Sequence, residues 1–168
     1  MVNFSIKGPL VKVGLAQYRI GMAPMRMMTL ALGSCLGIVI YDRRSKIGAL
    51  AHVMHPERNK VKNNCNRAKF VDSAVELMVS RMLSRGGVRD RLEAKIFGGA
   101  RMFSHVAGSR SIVQIGTANI DAARLELGRE GIPIVAECVG GTKGRSIVFD
   151  VSDGSVQVRD AYGNKEIY

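Results

Sequence analysis

The chain has 168 residues, 46% of them hydrophobic, enough for one domain with its own core, so disulfide staples are not required. Three cysteines, an odd number without framework spacing, and no export signal near Met1 argue against a secreted scaffold and for reduced thiols in the cytoplasm. A formal charge of +11 comes with no Trp, four Tyr and five Phe, and its basic residues are dispersed apart from Arg43, Arg44 and Lys46 and a run from Arg58 to Lys69, a pattern that argues against nucleic acid and for steering toward an acidic protein partner.

The first half reads as strands. Val11 to Arg19 alternates, Arg26 to Leu32 is an apolar run, and Leu36 to Tyr41 and Ile47 to Met54 are rich in branched residues, with a hairpin turn at Asp42 to Ser45. These apolar runs fall well short of the roughly 20 residues that cross a bilayer, so the chain is not expected to be membrane-embedded. From Asn66 the period becomes helical through Phe70, Ala74, Met78 and Met82, until Gly86 and Gly87 end it. Leu92 to Phe97 is a strand running into a Gly98-Gly99 turn. A second helix is expected over Asn119 to Arg129, capped by Asn119 or Asp121, with Gly131 as its stop. Strands near Ile134 to Cys138, Arg145 to Val151 and Ser155 to Arg159 follow, joined antiparallel by turns at Gly140-Gly141 and Asp153-Gly154. Strands grouped on either side of a helical middle predict an α+β layered fold with two to three helices over a single domain, 1–168, of which 1–20 is expected to be a less ordered extension.

The segment TLALGSC places Cys35 where an apolar strand meets the Gly33-Ser34 turn before another strand begins. Backbone N–H groups at such a turn stabilise a thiolate and the oxyanion formed when it adds to a carbonyl, and Gly33 lets a substrate backbone approach. A cysteine nucleophile needs a base, and pairing the two strands through the Asp42 to Ser45 turn sets Cys35 opposite residues near His52. The same residues fit a bland reading, in which the cysteine is a small core residue and the histidine a structural one. A metal reading would use His52 and His55 with Cys35 and Cys65, but strand positions three apart face opposite sides and no CxxC pair supports them. Cys65, Cys138 and His105 lack the context of Cys35 and read as structural, and Gly98-Gly99 and Gly140-Gly141 match no phosphate-binding loop.

Thr29 lies six residues before Cys35 and His52 seventeen after it, and with LGSCLGIVIYD, GALAHVMHP, RAKFVDSAVELM, KIFGGARMF and CVGGTKGRSIVFD the chain resembles the CheD chemoreceptor glutamine deamidases. The resemblance implies Cys35 as nucleophile, His52 as general base and acid, Thr29 as the group orienting the imidazole, and Gly33 and Ser34 as support for the oxyanion turn, with no metal or organic cofactor. It implies a layered α-β-β sandwich with mixed sheets, similar to toxins that deamidate glutamines in small GTPases. It implies methyl-accepting chemotaxis receptor cytoplasmic domains as substrates and a CheC-type phosphatase as a partner. Ala118, His55 and Phe70 depart from the family's usual arginine, leucine and tyrosine, so the alternative is a non-catalytic regulatory binding module for that phosphatase or for a receptor.

Overall fold

A computed structural model describes residues 8–62, 65–101 and 110–168. Among these, ten strands and two helices follow one another as β1 (Leu10–Lys12), β2 (Gln17–Met22), β3 (Arg26–Leu32), β4 (Leu36–Asp42), β5 (Ile47–Val53), α1 (Val71–Leu83), β6 (Leu92–Gly98), α2 (Arg110–Arg129), β7 (Ile134–Val139), β8 (Arg145–Asp150), β9 (Val156–Asp160) and β10 (Lys165–Ile167). They form two five-stranded sheets, ordered β1-β3-β8-β9-β10 and β2-β5-β4-β6-β7. Each sheet is mixed: β1 runs parallel to β3 and β6 parallel to β7, while the other pairs are antiparallel.

The second sheet is the middle layer. Side chains alternate across a strand, so Leu36, Ile38, Ile40, Ala49, Ala51 and Val53 pack against Val71, Val75, Met78, Ala123 and Leu127 of the helices. Val39, Tyr41, Leu50 and Phe97 point the other way and meet Met27, Ile147, Phe149 and Val156 of the first sheet. Every residue of β4 and β5 is buried, which is why both read as near-continuous apolar runs. The result is the expected α-β-β order. Gly48 lets the sheets close, since a Cβ there would collide with the Phe149 ring.

Several expectations need correction. Val11 to Arg19 is not one strand: β1 belongs to the first sheet and β2 to the second, and Ala16 turns the chain between them at φ 55°. From Gly8 the segment expected to be a loose extension is therefore tied into both layers, and residues 1–7 lie outside the described part. The second helix begins at Arg110 rather than near Asn119, so Asn119 is an interior residue and not a cap. Gly116 lies inside this helix, where a Cβ would come 2.7 Å from the Gly99 carbonyl oxygen, so glycine here lets the helix seat on that turn. Gly140-Gly141 does not close a hairpin but carries the chain from β7 in one sheet to β8 in the other.

Asp42 fastens the β4–β5 hairpin to the start of β6. Its buried carboxylate accepts from the N–H groups of Arg44, Ser45 and Val88, each at 3.0 Å, and from the Arg91 guanidinium at 2.9 Å. Burial alone would raise its pKa, but the Arg91 guanidinium and these N–H groups together hold it well below the usual carboxylate range. Because the folded value lies below the unfolded one of about 3.9, the stabilisation is complete above that pH and fades as pH falls toward the folded value. Asp42→Asn is expected to lose on the order of 2–4 kcal/mol at pH 7, measured by urea unfolding, and the gap from the parent should narrow at pH ~3.

Candidate active site

The nucleophile candidate sits where the chain changes layers. β3 ends at Leu32 in the first sheet, β4 begins at Leu36 in the second, and Gly33, Ser34 and Cys35 make the crossing. Each carbonyl of this bend is engaged: that of Gly33 accepts from Ala100 N–H at 2.7 Å, that of Ser34 from the Asn119 amide at 2.9 Å, and that of Cys35 from Gly99 N–H at 2.8 Å. Gly98, at φ 109°, is required here, because a Cβ would strike the Cys35 carbonyl oxygen. Its own carbonyl accepts from Gly140 N–H at 2.8 Å. The two glycine pairs read as plain turns thus brace the cysteine's bend.

His52 projects from β5 toward the first sheet, on the same face as Leu50, and lies opposite Gly37 of β4. The hairpin register pairs Leu36 with Val53, so Cys35 falls one step beyond, within two residues of the expected position. Across the interlayer space, Thr29 Oγ1 lies 2.7 Å from His52 Nδ1 and 2.8 Å from the Val13 carbonyl oxygen. A threonine hydroxyl has one proton. The carbonyl can only accept, so that proton goes to Val13 and the hydroxyl oxygen accepts from Nδ1–H. Neutral His52 therefore carries its proton on Nδ1, and Nε2 keeps its lone pair. Nε2 is buried without a hydrogen-bond partner among the described residues.

Burial shifts both groups in the direction of their uncharged forms. Burial pushes the Cys35 thiol up, with partial relief from the residue's own N–H, and burial pushes His52 down. Both shifts favour thiol plus imidazole over thiolate plus imidazolium. The structure brings Thr29 to His52, and Gly33 and Ser34 into one bend with Cys35. His55 turns instead to Phe70, with ring centroids 6.0 Å apart, so two of the family departures touch each other. Cys65 is exposed, Cys138 is half-buried with the Arg145 guanidinium 3.4 Å from its sulfur, and His105 lies outside the described residues. No group of three or more His, Cys, Asp or Glu among the described residues is placed to hold a metal ion. Sequence reasoning missed Val13 and the Gly98-Gly99 brace, and it took Asn119 for a helix cap rather than a partner of this bend.

Comparison with known proteins follows the same direction. The family model for CheD, described as chemotactic sensory transduction, matches residues 54–160. A Moorella thermoacetica protein named "Probable chemoreceptor glutamine deamidase CheD" is 44% identical over 154 residues, 92% of each chain. Proteins of the same name from Clostridium botulinum and Pyrococcus abyssi are 45% and 40% identical, covering 89% and 94% of this chain and 91% and 95% of their own. The family model begins after His52, but an alignment over 92% of the chain necessarily spans residues 29–52. The crystal structure of a Neisseria meningitidis protein of the DUF152 family superposes with a TM-score of 0.52 at 10% identity, covering 84% of this chain and 75% of that one, a likeness of fold alone.

The direction of the Cys35 and His52 shifts has a measurable consequence. Alkylation of Cys35 by iodoacetamide, followed by peptide mass spectrometry in the protein without substrate, should keep rising through pH ~8.5, the ordinary thiol value. A plateau already reached below pH 7 would instead mean a preformed thiolate–imidazolium pair.

Proposed function

The chain belongs to the CheD family, and from that membership together with the His52 tautomer we propose that it is a chemoreceptor glutamine deamidase with Cys35 as nucleophile, His52 as general base and acid, and Thr29 as the residue that orients the imidazole. The observation that carries the reading is the chain of hydrogen bonds from Val13 through Thr29 to His52, which leaves the Nε2 lone pair unengaged among the described residues, on a residue paired in the ladder with Gly37, two positions past Cys35.

The sulfur adds to the side-chain carbonyl carbon of a receptor glutamine while His52 Nε2 takes the thiol proton. The carbonyl oxygens of Gly33, Ser34 and Cys35 are tied back by Ala100, Asn119 and Gly99, so the N–H groups of the bend, that of Cys35 among them, are what it offers a developing oxyanion. The imidazolium then gives its proton to the leaving nitrogen, the C–N bond breaks, and ammonia departs from a thioester. Water adds to the thioester with His52 again as base, the C–S bond breaks, the sulfur recovers its proton, and glutamate is released. Proton transfer serves the poor leaving group, a contribution of roughly 10²–10⁴-fold, so the reaction requires no metal or organic cofactor.

The reading takes residues 1–168 as one domain acting in the cytoplasm on the cytoplasmic part of receptors, where each conversion adds a negative charge. No helix among the described residues is long and apolar enough to cross a membrane. A CheC-type phosphatase is the partner that the family resemblance adds.

A receptor cytoplasmic fragment incubated with the protein should gain the amide-to-acid mass difference at particular glutamines, located by peptide mass spectrometry. Cys35→Ala should abolish that gain while keeping the circular dichroism of the parent; conversion by this variant would overturn the assignment. Thr29→Val removes the acceptor for Nδ1–H and should lower kcat by about 10–100-fold, equivalent to roughly 1.5–3 kcal/mol.

A further inference from the structure

The β4–β5 ladder stops at the pair Leu36–Val53. Cys35 and Met54, the next residues on each strand, lie past its end, where no ladder bond sets their spacing. Asn119 reaches this gap from the interior of α2. Its side chain is fully buried, and Nδ2 donates to the Ser34 carbonyl at 2.9 Å and to the Met54 carbonyl at 3.1 Å. Ser34 precedes the nucleophile, and Met54 is two residues past His52. Both partners are carbonyl oxygens that only accept, so the nitrogen must face them and the amide orientation is fixed.

We infer that Asn119 is a positioning residue for deamidation, an amide clamp that joins the bend carrying Cys35 to the strand carrying His52 and so sets the separation of sulfur and Nε2; this rests on the function proposed above. Asparagine is a poor helix former, and Asn119 Oδ1 is buried without a hydrogen-bond partner among the described residues, so what the residue contributes here is its pair of N–H donors, one to each carbonyl. The helix presenting the clamp is itself held to the same bend. Gly116, one turn earlier, packs on the Gly99 carbonyl, and a Cβ on Gly99 would lie 2.6 Å from Ile120. Since Gly99 N–H and Ala100 N–H hold the carbonyls of Cys35 and Gly33, helix, turn and bend form one rigid block. The clamp extends that block to the histidine's strand. A reacting pair displaced by about 1 Å loses on the order of 10²-fold in rate, so a modest relaxation at this point is visible in kcat.

The test uses Asn119→Ala and Asn119→Asp, the second keeping the shape while replacing both N–H donors with an acceptor. Ala123→Gly, a buried change one turn further along α2, serves as a control that loosens the helix without touching the clamp. With a receptor fragment, both Asn119 variants should lose at least about tenfold in kcat with KM within about twofold, whereas Ala123→Gly at matched folded fraction should keep the parent kcat. Without receptor, the ratio of Cys35 alkylation rates between proteins carrying His52 and His52→Gln should exceed one in the parent and collapse toward one in the Asn119 backgrounds. Parent-like kcat and alkylation ratio in folded Asn119→Ala would overturn the proposal, as would a loss matched by Ala123→Gly or one confined to KM. If the parent releases no ammonia from receptor, the deamidase reading fails, while the alkylation arm still decides whether Asn119 holds the cysteine to the histidine.

Discussion

One hydroxyl proton governs this site. Thr29 stands on β3 in the first sheet and His52 on β5 in the second, and Thr29 can accept from the imidazole only because its proton is taken by the Val13 carbonyl. The tautomer therefore depends on the spacing between the layers and on the segment that follows β1. Met27, Val39, Leu50, Phe149 and Val156 fill the interlayer space, and Gly48 removes a side chain that would hold the layers apart. Packing at the protein's centre and proton placement at its reactive edge are the same constraint seen at two scales.

Much of this was legible in the sequence because the informative residues sit close together in it. Arg26–Leu32, Leu36–Asp42 and Ile47–Val53 are strands joined by short connections, so a hairpin register alone brings Cys35 near His52, and alternation alone puts His52 and Leu50 on one face. What stayed hidden depends on distant contacts. Val13 acts through its carbonyl, which every residue type carries. Gly116 gives no sign in the sequence that the Gly99 backbone lies against it. Asn119 resembles a helix cap until the nine preceding residues prove helical, and its partners, Ser34 and Met54, lie 85 and 65 residues away along the chain. The Gly98-Gly99 and Gly140-Gly141 pairs were visible as turns, but that they grip a cysteine could be known only once two sheets were assembled around them.

The family departures are likewise clarified by place. His55 and Phe70 meet as a bridge between the end of the histidine's strand and the start of α1, with Val71 N–H bonded to the His55 carbonyl at 2.9 Å. They form a local unit, one ring against another, separate from the Thr29–His52 contact on the opposite side of the middle sheet. Ala118 is a neighbour of Asn119 on α2 and lines an open groove of about 620 Å³ with Pro56, Asn59, Leu125 and Arg129, a surface on which a short side chain leaves the space open.

Because β4 and β5 are covered on both faces, their amides have no route to solvent short of separating two layers at once. Fully exposed β10, by contrast, can fray alone. In hydrogen exchange β4 and β5 belong to the slowest class, opening only with global unfolding, and the rim strands to the fastest. His52 is thus mounted on the stiffest part of the protein, and the bend with Cys35 adjoins it. Variation that alters which partner is met therefore accumulates at low cost on the outer sheet and the helix surfaces, while the middle layer changes little.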